Sequence, residues 1–102
     1  MGVLRCVSPI DGRVVVERPL ADRAAVEAAV RRARLAFPAW RARPVAERVA
    51  LLSRAIDHIV AKREEIAREL TLQMGRPIAQ SPGEVRGLEE RARHMLAIAA
   101  EA

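Results

Sequence analysis

The stretch Pro44-Val45-Ala46-Glu47-Arg48-Val49-Ala50-Leu51-Leu52-Ser53-Arg54-Ala55-Ile56-Asp57-His58-Ile59 places apolar side chains at 45, 49, 52, 56 and 59. That spacing lines one face of an α-helix and is the cleanest such stripe in the chain. Pro44 suits the first helical position, where its missing N–H costs nothing, although Arg43 offers no capping acceptor. The reading is a helix over 44–61, and it makes the fold predominantly α.

Toward the C-terminus, Lys62-Arg63-Glu64-Glu65 marks a corner, and Ile66, Leu70 and Met74 carry a helix over 63–74. Gly75 fits the left-handed position that ends it, with Pro77 shortly beyond. Ser81, Pro82 and Glu84 read as a capping box that opens a further helix over 82–102. Its apolar face is Val85, Leu88, Ala92, Met95 and Ala99, and the pattern is still running at Ala102 without a stop signal. The chain is therefore expected to end inside a helix and to be a piece of something longer.

Toward the N-terminus, Asp22 caps a helix over 22–37 with Val26, Val30, Ala33 and Phe37 on one side, and Pro38 is expected to close it. Before it, Val3 to Val7 and Val14-Val15-Val16 flank Ser8-Pro9-Ile10-Asp11-Gly12, a turn with Pro to preset φ and Gly to accept positive φ. This is a hairpin over 3–18, ended by Pro19. A lone hairpin is not stable in water, so it must lie on another element.

Composition narrows the function. The 102 residues are 51% hydrophobic and 30% charged, a globular balance for at most one small domain. Alanine carries much of the apolar share and the aromatics are Phe37 and Trp40 alone, so an independent core would be thin. The net charge is +5, with all but one of the 18 basic residues arginine. Glutamates interrupt the arginines and no tyrosine accompanies them, which argues against nucleic acid. No apolar run approaches the roughly 20 residues that span a bilayer, and no secretory leader is visible, so no membrane partner and a cytoplasmic location are expected. Cys6, the one cysteine, excludes an internal disulfide and a zinc cluster.

Four signatures, in order, carry a resemblance. They are Ser8 to Gly12, Ala29-Val30 with Ala33-Arg34 and Ala36 to Trp40, Pro44 with Glu47-Arg48, and Gly75-Arg76-Pro77. Together they resemble the opening segment of the NAD(P)+-dependent aldehyde dehydrogenases, over Cys6 to Ala102. The resemblance implies a mostly α segment with a short N-terminal β-hairpin, the N-terminal fragment of a larger α/β fold. It implies an enzyme oxidising an aldehyde to a carboxylic acid with NAD or NADP. The remainder of the dehydrogenase chain would be the partner, and the full-length protein a homo-oligomer. One departure stands out. Gln73-Met74 precede Gly75 where the family often carries an acidic residue of a structural monovalent-cation site.

The chemistry itself is expected to lie elsewhere. The family uses a cysteine nucleophile, a water-activating glutamate and an oxyanion-stabilising asparagine, and this chain has no asparagine. Cys6 falls too early to match the nucleophile and reads as a structural thiol. The five glycines never cluster between a strand and a helix, so no Rossmann-type phosphate cradle and no cofactor-binding residue is expected. His58 and His94 lie on separate helices, and Glu64-Glu65 and Glu89-Glu90 are adjacent pairs that point apart, so no metal site is expected. By the resemblance, Glu84, Leu88 and Arg91 are the candidates for lining an aldehyde tunnel. The fragment alone is expected to be inactive. A stand-alone helical interaction module and a non-functional gene remnant are the rival readings.

Overall fold

The computed structural model describes residues 2–102. Strands β1 (Val3–Val7) and β2 (Val14–Pro19) form an antiparallel hairpin, followed by helices α1 (Arg23–Ala42), α2 (Val45–Ala61), α3 (Arg63–Met74) and α4 (Pro82–Ile98). The mostly α architecture with a short N-terminal hairpin is as the sequence implied. In the hairpin Arg5 lies opposite Glu17 and their side chains pair at 2.7 Å. A bulge between Cys6 and Val7 leaves Val15 without an opposite residue. The Ser8 N–H donates to the Arg13 carbonyl at 2.8 Å, and the Gly12 N–H, at φ 76°, returns to the Ser8 carbonyl at 2.9 Å.

Helix α4 is the hub, since α2 and α3 both pack on it. Each of these three helices contributes one buried apolar residue, Ile56 from α2, Ala67 from α3 and Val85 from α4. Arg93 ties α4 to α2. Its guanidinium donates to Asp57 at 2.6 Å, to Glu89 at 3.2 Å and to the Ser53 hydroxyl at 3.4 Å. The hairpin reaches the helices at Gly75. There φ is 74°, and a Cβ would stand 2.8 Å from Pro9 Cγ. Two signatures far apart in sequence, Ser8 to Gly12 and Gly75 to Pro77, thus meet in space.

Three local expectations are corrected. Pro38 does not close α1, which continues to Ala42. Proline removes one N–H and crowds the carbonyl four residues back, but it leaves the following residues free to stay helical. Ser81 makes no capping box. It sits at φ −59°, ψ −37°, already inside a helical turn, and its hydroxyl turns inward to the Thr71 hydroxyl at 2.8 Å and the Pro77 carbonyl at 3.3 Å. Helix α4 stops at Ile98 instead of running to Ala102, and the last bonds tighten to Ala99 N–H on Leu96 and Glu101 N–H on Ile98. Smaller shifts accompany these. Pro44 sits one position before α2 and not at its first residue, whereas Asp22 caps α1 as read, accepting from the Ala25 N–H at 2.8 Å.

The assembly is open. The radius of gyration is 17.8 Å, against about 13 Å for a compact chain of this length. The exposed area is 8356 Å², where a compact monomer of the same mass exposes about 5,700 Å². Helix α1 buries no residue.

Two outcomes follow from the turn geometry. Gly12 and Gly75 share the same φ, but a Cβ at Gly12 meets nothing within 4 Å. Gly12→Ala is expected to lower stability by about 1–2 kcal/mol, the left-handed penalty alone, and Gly75→Ala by clearly more. Urea midpoints of the two variants in the same parent protein check the order, and equal losses would remove the Pro9 contact from the account. Ser81→Ala leaves the Thr71 hydroxyl without its partner and should cost about 1–3 kcal/mol. A double-mutant cycle with Thr71→Val measures whether the two hydroxyls are coupled.

Candidate functional site

Helix α4 positions the three residues named for a tunnel. At 100° per residue, Glu84, Leu88 and Arg91 fall on one line with Met95, roughly a quarter turn from the buried line through Val85. The structure brings them together on an exposed strip. Leu88 is 45% and Met95 62% exposed, and Glu84 and Arg91 are exposed as well. Glu84 is held by Arg76 across the α3–α4 turn at 2.8 Å, which leaves Arg91 without a carboxylate within 4 Å among the described residues. An apolar strip with one free guanidinium can guide and orient an anionic or amphipathic molecule. It carries no nucleophile and no base.

The remaining titratable groups do not assemble into a catalytic cluster. Cys6 lies on β1 opposite Val16, and its sulfur faces the Gln73 carbonyl at 3.9 Å and the Gln73 side-chain oxygen at 4.0 Å. Neither group can accept a proton as a base and so activate the thiol. Gln73 itself is tied to Glu69 at 2.8 Å. His58 is exposed on α2 and His94 on α4. Among the described residues, no group of three His, Cys, Asp or Glu side chains could hold a metal ion. The Rossmann phosphate cradle places clustered glycine N–H groups where a strand meets a helix. Here Gly83 and Gly87 fall inside α4 and no described strand leads into it, so that cradle is not formed among the described residues.

One cluster escaped the sequence reading. An open groove at the α2–α3 corner is lined by Asp57, Lys62, Arg63, Glu64, Glu65 and Arg93. The Arg93 pKa is raised, first by its hydrogen bond to Asp57 and then by that to Glu89, so this charge is fixed at any working pH and serves as a brace. The spacing of Glu89 and Arg93 announces half of it. The reach to Asp57 on another helix has no sequence signal.

Comparison with known proteins agrees with the four signatures. The model of the aldehyde dehydrogenase family matches residues 2–102. A succinate-semialdehyde dehydrogenase [NADP(+)] of Deinococcus radiodurans is 35% identical over 78% of this chain and 17% of its own length. A malonate-semialdehyde dehydrogenase of Bacillus pumilus is 36% identical over 80% of this chain and, again, 17% of its own. The crystal structure of PnpE in complex with nicotinamide adenine dinucleotide superposes with a TM-score of 0.91 at 36% identity, over 99% of this chain and 21% of PnpE. The chain thus spans about a fifth or less of the proteins it matches. With its hairpin, its four helices and nearly every residue matched, it belongs to the aldehyde dehydrogenase family.

Proposed function

We propose that this chain is the opening segment of a longer, cytoplasmic, homo-oligomeric NAD(P)+-dependent aldehyde dehydrogenase. The whole enzyme oxidises an aldehyde to the carboxylic acid, and this segment is scaffold plus one wall of the aldehyde tunnel. The observation that carries the reading is the match of the full segment, hairpin and four helices together, to about a fifth of a larger protein in complex with NAD. The segment alone is inactive: it has no asparagine, a single cysteine without a base, and no cradle for the nucleotide phosphates. Nucleophile, water-activating carboxylate and cofactor fold belong to the remainder of the chain, its partner in the full protein.

The strip on α4 gives the segment a part in substrate choice. The relatives' names specify aldehydes with a carboxylate at the far end. Arg91, unpaired beside exposed Leu88, offers a cation next to an apolar wall, the arrangement such a substrate calls for. Glu84 is neutralised by Arg76 and so does not repel it. The reading assigns Leu88 to the apolar chain of the substrate and Arg91 to its carboxylate.

The test uses the longer protein. Arg91→Ala is expected to raise KM for a semialdehyde about tenfold at nearly constant kcat, the signature of lost uniform binding, and to leave a neutral aldehyde of similar length unaffected. An equal effect on both substrates removes Arg91 from carboxylate recognition. The 102-residue segment with NAD+ or NADP+ and aldehyde should form no reduced nicotinamide, and formation of any would overturn its assignment as scaffold.

A further inference from the structure

Helix α1 carries an apolar stripe that the described residues leave unburied. Val26, Val30, Ala33, Phe37 and Trp40 fall within about 80° of one another around the helix axis. Val26 is 51% exposed and Phe37 57%, and the helix has no buried residue. A helix in a protein draws most of its stability from packing of its apolar face, and Pro38 inside α1 weakens the helix on its own. One border of the stripe is basic. The Arg23–Glu27 pair there is neutral at 2.7 Å, while Arg31, Arg34 and Arg41 have no carboxylate within 4 Å among the described residues. The opposite border is Ala25, Ala29 and Ala36, small enough for close approach of a backbone.

We propose that this stripe is the seat of a surface formed by the same longer chain beyond Ala102, apolar at its centre and lined with carboxylates along the edge facing Arg34 and Arg41. The inference rests on the reading of the chain as an opening segment and adds which face docks and what charge it meets. Three observations favour this occupant. The segment as a whole exposes about 2,700 Å² more than a compact monomer of its mass, well above the about 800 Å² that each side gives to a standard interface, so its uncovered faces taken together, α1 among them, call for a large cover. The chain spans 17% of the length of its relatives, and the remainder is large enough. A second copy in an antiparallel two-fold pairing of α1 helices is disfavoured by charge, because the arginine borders of the two helices would then face each other.

Hydrogen–deuterium exchange of the intact longer protein tests this through the amides of residues 24–40. Protection that is the same above and below the concentration at which subunits separate is expected. Protection only in the oligomer assigns the stripe to a second copy and overturns the proposal, as does fast exchange at all concentrations. In the variant Arg34→Glu, Arg41→Glu, exchange across α1 should quicken about tenfold or more, and in the native chain high salt should act in the same direction. Insensitivity to both rules out the carboxylate edge. Dehydrogenase activity is read separately: α1 protected in an inactive full-length protein would sink the proposed function and leave the docking intact.

Discussion

The fold turns on a close approach of backbone to side chain at Gly75. There the chain leaves α3 in the left-handed region, with the Gly75 N–H returned to the Thr71 carbonyl at 2.9 Å, and the Pro9 ring stands too close to leave room for a Cβ. The same residue thus ends a helix and receives the hairpin. Thr71 then spends its hydroxyl on Ser81, so the helix end, the following turn and the start of α4 are held by one short chain of bonds. Ser8 and Ser81 are the most deeply buried residues described, at 1% and 0% exposure. The tightest packing therefore lies at polar turns, while most large apolar side chains remain in contact with water.

That inversion has a physical consequence. Burial of apolar surface is the principal term that offsets chain entropy, and among the described residues Ile56, Ala67 and Val85 alone supply buried apolar side chains. Polar turns specify geometry well because each hydroxyl has few acceptable partners, but hydrogen bonds add little net stability. A segment built this way has its turns specified more closely than its apolar core. Its exposed stripe on α1 is regular and one-sided, and such regularity is what a face needs when its cover arrives from elsewhere in a chain.

Legibility followed the range of the interaction. The Ser8 to Gly12 turn, the Asp22 cap and the Gly75 terminus depend on residues within four positions of one another, and all could be read from the sequence. Pro38 and Ser81 were misread although their local chemistry was correctly identified. Proline's effect on a helix is a cost, and a cost can be outweighed. A serine three residues before a glutamate caps only if its own backbone is extended, and at Ser81 the preceding turn had already fixed helical angles. Motif and conformation came apart there.

The strip on α4 shows the other limit. That Glu84, Leu88 and Arg91 share a line is fixed by helical periodicity, but which side of the line meets α2 and α3 is not. The sequence supplies an apolar band wide enough to include both Val85 and Leu88, and the neighbours choose. They cover Val85 and leave Leu88 open. The same choice sends Arg76 to Glu84 and Arg93 to Asp57, and on the uncovered strip Arg91 stands without a carboxylate partner among the described residues. A hydrophobic pattern announces how much surface a helix can bury. Only packing decides which part of that surface becomes core and which stays exposed.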